Sequence, residues 1–194
     1  MIEREQLYHL YIQDRKSAAE IARILKCSEN RVNYWLKKFD IKKRTISEAI
    51  YLKKNPNGDP FVFRLPETKD EAILFGMGIG LYWGEGTKAS MNTVRLGNSD
   101  PALLREFKRF LETFYNVNPD DFRYHLHIFS DIDINEARQF WMKELGIKEN
   151  QFYKPMVTRT GKLGTYRRKS RYGVLTIYYG NIKLRNNLIG LLPM

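Results

Sequence analysis

The sequence predicts an α+β chain in two parts: a small three-helix unit, then a mixed α/β domain with a twisted antiparallel sheet. Three observations carry that expectation. Apolar residues recur at helical spacing through the first part, and strict apolar/polar alternation marks strands at 93–97 and 122–129 further on. Between them, KKNPNGDP at 53–60 places asparagine, glycine and two prolines within a short stretch, the mark of a connection. The expected parts are a helical domain over 1–47, a linker over 48–67 and a mixed domain over 68–194.

Composition narrows the function. The chain has 194 residues, 43% hydrophobic and 13% aromatic, which is enough to bury a core and argues against disorder. With 33 Lys+Arg against 22 Asp+Glu its formal charge is +11 and its pI about 9.7. A lone Cys27 rules out an intrachain disulfide framework and Cys-rich zinc patterns, and His9, His125 and His127 do not stand at zinc-ligand spacing, so no zinc is expected. MIEREQLYHL lacks the order of a signal peptide, and no apolar run reaches the ~20 residues that span a bilayer. A cytoplasmic protein without a membrane partner is expected, and its basicity points to nucleic acid. The charge is uneven: from Asn150 onward there are nine Lys/Arg and no Asp/Glu, and five of the nine fall between Lys162 and Arg171.

In the first part, Leu7, Leu10 and Tyr11 predict an opening helix. Ser17-Ala18-Ala19-Glu20 is a capping box, in which the serine oxygen takes a free N–H and the glutamate returns to the serine's own N–H. A second helix starts there with Ala18, Ile21, Ala22, Ile24 and Leu25 on one face. Ser28 caps a third, with Val32, Trp35, Leu36 and Phe39 inward. The run SAAEIARILKCSENRVNYWLKKFDI resembles the helix-turn-helix of resolvase-like and transposase-like DNA-binding domains. The resemblance implies that the third helix enters the major groove of double-stranded DNA. It would present Glu29, Asn30, Arg31, Asn33 and Tyr34, with Lys37 and Lys38 near phosphates. Such turns usually hold a glycine, where this chain has Lys26. The bland alternative is a small helical bundle with a solvated polar face.

The second part opens on another box, Thr68-Lys69-Asp70-Glu71, followed by an apolar run from Ala72 to Gly86. Each glycine inside a helix costs ~1 kcal/mol relative to alanine, so Gly76, Gly80 and Gly84, four residues apart on one face, need a reason. A glycine groove admits a second helix at close range, and the same helix of another subunit is the natural occupant, which predicts a homodimer about a twofold axis. Glu85 at the helix C-terminus is disfavoured by the helix dipole and, across the twofold, by its own copy. A divalent cation such as Mg²⁺, held by Glu85, the Gly84 backbone oxygen and water, would relieve both; otherwise Glu85 is a solvated turn residue.

GIGLYWGEG at 78–86 resembles the LAGLIDADG motif at Gly80, Leu81, Gly84, Glu85 and Gly86. The LAGLIDADG homing endonucleases use such helices at a domain or subunit interface, and one motif per chain implies a homodimer. The resemblance makes Glu85 the ligand of a catalytic Mg²⁺. Lys88 and Lys154, chosen by proximity and strand position, are candidates to stabilise charge on the phosphate. The order of elements extends the likeness over roughly 70–192. Val94 and Leu96 face inward from a strand, then an Asp100-capped helix carries Leu103, Leu104, Phe107, Phe110, Leu111 and Phe114. Phe122, Tyr124, Leu126 and Ile128 alternate along the next strand. A helix at about 135–145, strands at 152–159 and 173–179, and a helix from Lys183 to Leu192 complete the expectation. The open sheet face would place Arg95, Arg123, His125, Lys154 and Arg159 on DNA. The loop Thr160–Tyr172 would add Lys162, Arg167, Arg168, Lys169 and Arg171 as phosphate contacts, since no acid lies nearby to pair with them.

The leading expectation is a sequence-specific, Mg²⁺-dependent DNA endonuclease acting as a homodimer. The alternative is a non-cleaving DNA-binding regulator on the same fold. A recombinase or transposase accessory role would call for a nucleophilic serine or tyrosine, or a carboxylate triad, and no such constellation is recognisable.

Overall fold

The structure, a computed structural model, describes residues 2–160 and 170–193. It is α+β, with eight α-helices and a four-stranded mixed sheet among those residues. The chain divides between Pro60 and Phe61 into two compact units.

The first unit contains α1 (Arg4–Tyr8), which continues as one π-helical turn (His9–Gln13), then α2 (Ala18–Ile24), α3 (Glu29–Lys38) and α4 (Ile46–Lys54). The Ser17–Glu20 capping box forms in full, and Ser28 accepts from the Arg31 N–H at 3.2 Å. Leu7, Tyr11, Ile21, Val32, Leu36 and Ile41 are buried together, while Trp35 and Phe39 cover the edge with ring centroids 5.1 Å apart. Lys26 sits at φ +49° in the turn between α2 and α3. It adopts the left-handed conformation that glycine would hold without strain.

The stretch 48–67, expected as a linker, holds more order than that. Thr45 and Glu48 form a capping box that starts α4. Residues 61–67 belong to the second unit, where they serve the end of α6 (Pro101–Tyr115). The last carbonyls of a helix lack intrahelical donors; here Val62 N–H donates to Tyr115 O, Arg64 N–H to Phe114 O and Arg64 Nε to Thr113 O.

The remaining elements of the second unit are α5 (Lys69–Glu85), β1 (Val94–Asn98), β2 (Arg123–Phe129), α7 (Ile134–Leu145), β3 (Met156–Thr158), β4 (Val174–Tyr179) and α8 (Ile182–Gly190). The strand order is β1-β4-β2-β3. β4 runs antiparallel to both neighbours, but β2 and β3 pair in parallel, which corrects the expected antiparallel sheet. The cause is α7. A crossover helix between two neighbouring strands returns the chain in the direction it left. One sheet face is closed by helices, with Val94, Leu96, Tyr124, Leu126, Ile128, Leu175 and Ile177 buried. α6 is the axis of this core, packing on α5, α7 and β1 and burying Leu104, Phe107, Phe110, Leu111, Phe114 and Tyr115. Each of the leucine and phenylalanine side chains contributes about 1.5–3 kcal/mol relative to exposure.

The second expected capping box forms only in part. Thr68 accepts from Glu71 N–H, but the Glu71 carboxylate turns away to the Arg64 guanidinium, at 2.6 and 2.9 Å, and to Glu67 N–H. A two-pronged charged partner outcompetes one neutral N–H. Arg64 first, then the Glu67 N–H, holds the Glu71 carboxyl down at about 2 against its ordinary 4.5. A depressed carboxylate contributes stability that is fully present above its unfolded value and lost as pH falls through the folded one. Urea midpoints are therefore expected to fall between about pH 4.5 and 2, and Glu71→Gln should flatten that part of the profile. An unchanged slope in the variant would remove Glu71 from the acid transition.

Candidate functional site

Three surfaces carry the residues singled out in the sequence. The first is the outer side of α3. Val32 and Leu36 turn inward, which leaves Glu29, Asn30, Arg31, Tyr34, Lys37 and Lys38 exposed and Asn33 half-buried. The Lys38 ammonium lies 4.8 Å from the Trp35 ring and 5.9 Å from the Tyr34 ring, so it is held by the aromatic pair at the helix end.

The second surface is the outer side of α5. Leu74, Gly78 and Tyr82 face the core. A Cβ on Gly78 would lie 2.1 Å from Phe110 Cγ, inside the ring of a buried side chain, so glycine is what lets α5 and α6 approach. A Cβ on Gly76, Gly80 or Gly84 would meet nothing within 4 Å. Those glycines therefore pack on nothing among the described residues. With Ile73 (58% exposed), Met77 and Trp83 they make an open, apolar helix side.

That side ends at Glu85. Gly86 folds back on Tyr82, where any Cβ would be 2.4 Å from the ring and from the Tyr82 carbonyl. The chain then pairs with β1 through Gly86 and Leu96 and through Thr87 N–H to Arg95 O at 2.9 Å. Glu85 is thus exposed beside the β1 edge of the sheet. Lys88 donates from its ammonium to the Trp83 carbonyl, capping the end of α5 two residues before Glu85. Arg185 of α8 holds the same turn by donating to Lys88 O at 2.6 Å. The sequence carries no local signal for Arg185, which is 97 residues away. Burial pushes the Tyr82 hydroxyl up, and Arg185 opposes that shift. No group of three or more His, Cys, Asp or Glu gathers among the described residues. Glu85 offers one exposed carboxylate beside backbone oxygens such as that of Gly84, oxygen donors of the kind a hard cation takes.

The third surface is the open sheet face. Cross-strand register aligns Arg95, Tyr178 and Arg123 in one row, and Thr176 with His125 in the next. Arg95 Nε donates to Thr93 Oγ1 at 2.7 Å, and its guanidinium lies 5.0 Å from the Tyr178 ring centre. Tyr178 also meets Tyr153 edge-on at 5.6 Å. Arg123 donates to the carbonyls of Asp120 and Phe122, and His127 Nε2 lies 2.8 Å from Thr158 Oγ1. None of the four strands contains Asp or Glu. The aromatic members, Tyr178 and Tyr153, were not singled out in the sequence, although the alternation of VLTIYY places Tyr178 opposite buried Ile177 and Tyr179.

Some expected residues do not join this face. Lys154 is exposed just before β3, at the far edge from β1 and so about 14 Å from the Glu85 side at ~4.8 Å per strand. The structure does not bring it to Glu85. Arg159 follows β3 on the parity of Val157, which pairs with buried Ile128, and so leaves the face that holds His127. Arg171 pairs with Glu136 of α7 at 3.3 Å and stacks on Tyr172, which corrects the expectation that no acid lies near it. Lys162, Arg167, Arg168 and Lys169 lie outside the described residues.

The two kinds of glycine on α5 separate by experiment. In dilute solution Gly78→Ala is expected to cost about 1–3 kcal/mol through overpacking, whereas Gly80→Ala should stabilise the subunit by up to about 1 kcal/mol through helix propensity. Equal destabilisation of both in urea denaturation would show that the open face is packed within the subunit. No described helix is long and apolar enough to cross a membrane. No protein-family model, curated protein or solved structure matches the chain.

Proposed function

We propose that the chain is a sequence-specific double-stranded DNA-binding protein of the cytoplasm, built as a helix-turn-helix followed by a LAGLIDADG-type domain. It acts as a homodimer and cuts both strands of its site in a divalent-metal-dependent reaction. The observation that carries this reading is the outer side of α5: three glycines that pack on nothing among the described residues lead to an exposed carboxylate beside an acid-free sheet face.

In this reading Gly76, Gly80 and Gly84 pack on the partner's copies, which brings two Glu85 side chains to the twofold axis. Each Glu85, with the Gly84 carbonyl, would hold Mg²⁺, whose chemistry is to activate water and to stabilise the leaving oxygen. The chain's own residues do the rest. Lys88 and Arg185 fix the turn that carries Glu85, while Arg95, Arg123 and His125 engage the duplex from the sheet face. α3 reads the major groove with Asn30, Arg31, Asn33 and Tyr34, and Lys37 meets a phosphate.

A non-cleaving regulator is the second reading, and a specific observation favours it. Lys88 is committed to the Trp83 carbonyl, and Lys154 lies at the opposite edge of the sheet, so neither lysine is free beside Glu85.

Cleavage of a randomised plasmid library, with and without Mg²⁺, by wild type and Glu85→Gln decides between them. The endonuclease is expected to give metal-dependent double-strand breaks at a partly palindromic site, lost in Glu85→Gln while binding persists. Tight binding without breaks in either protein would establish the regulator.

A further inference from the structure

α4 packs through half-buried Tyr51 and Leu52, and Tyr51 Oη donates to Asp59 Oδ1 at 3.0 Å. Its nine residues bury no side chain, and helices shorter than ~12–15 residues are marginal in water on propensity alone. Yet the sequence starts it deliberately. Glu48 accepts from Thr45 N–H at 2.7 Å while Thr45 Oγ1 accepts from Glu48 N–H at 3.2 Å. The residue just before it is clamped to the three-helix body. Arg44 donates to the carbonyls of Arg15 and Lys16, both at 2.9 Å, and of Tyr11; its guanidinium stacks 4.1 Å from the Tyr11 ring centre, and its N–H donates to Tyr11 Oη. α4 therefore leaves a fixed point of the unit that carries α3.

Its exposed side is patterned. Ile46 is 82% exposed and Ile50 51% exposed, four residues apart with small Ala49 between, and Lys53 continues the stripe beside Lys54. Glu48, the only acid in the helix, is two residues from each isoleucine and so on the opposite side, with its carboxylate turned back on Thr45. Two apolar side chains on a narrow helix front, followed by two lysines, suit a groove in which apolar side chains wedge between base steps and phosphates line the rim.

We propose that α4 is a second DNA-reading element, which lays Ile46 and Ile50 into the minor groove while Lys53 and Lys54 meet the flanking phosphates. The inference rests on the DNA-binding reading of α3. The minor groove distinguishes A·T from G·C through the guanine amino group and its own width, so α4 adds a preference for A·T pairs beside the site read by α3.

The test uses the full chain and a duplex selected by wild type from a randomised pool. Ile46→Ser/Ile50→Ser and Lys53→Gln/Lys54→Gln remove no buried group and should keep the wild-type Tm. Each is expected to bind at least about tenfold more weakly. Replacing flanking G·C pairs by inosine·cytosine changes the minor groove and leaves the major groove alone. Wild type should respond to that change and to a minor-groove competitor, and the isoleucine variant should not. Variants that bind within twofold of wild type with the same inosine response would overturn the role of α4 while leaving the DNA reading intact. A lowered Tm would overturn it too, since it would show that Ile46 and Ile50 pack on protein. If wild type selects no duplex, both readings fall.

Discussion

The contact between Gly78 and the Phe110 ring fixes the second unit. It sets the rotation of α5, because a helix that offers glycine to a buried ring at residue 78 must also turn Leu74 and Tyr82 inward. The open side at 73, 76, 77, 80 and 84 follows from the same rotation. So does the course of the chain beyond α5: Tyr82 stacks in plane with Phe107, Gly86 closes on the Tyr82 ring, and pairing with β1 leaves Glu85 at the surface. A side chain at Gly78 or Gly86 would displace the carboxylate without touching it.

Much of this was legible locally. Caps at Ser17, Ser28 and Asp100 are short-range devices, and the structure forms all three. Alternation along 122–129 gave the buried side of β2 because a strand's period does not depend on its partners. What escaped depends on partners distant in sequence. Glu71 has a nearby N–H but prefers Arg64, whose own position is set by the end of α6. The direction of β3 is decided by α7, and the role of Arg185 by a carbonyl 97 residues earlier. Spacing set Gly76, Gly80 and Gly84 apart in sequence, but only the position of Phe110 shows that Gly78 makes the close approach within the chain. At Lys26 the sequence named the demand correctly and the chain meets it with a lysine at positive φ.

The electrostatic design is consistent in both units. Acids are drawn into local work, as with Glu20 and Glu48 at helix starts, Glu71 on Arg64 and Glu136 on Arg171. Basic groups are left on outer faces, steadied by aromatic rings: Lys38 on Trp35, Arg95 on Tyr178. A cation held over a ring loses less freedom when it meets a phosphate or a base edge. In the proposed reading, α3 in one unit and the sheet face in the other each meet DNA phosphates with such cations.

That claim is tested most directly by the salt dependence of binding to a mixed-sequence duplex. If both units engage phosphates, the logarithm of the affinity falls linearly with the logarithm of salt concentration, with a slope of about −4 or steeper at roughly −0.9 per contact. A slope shallower than about −1 would contradict an account in which the charge of this chain exists to hold DNA.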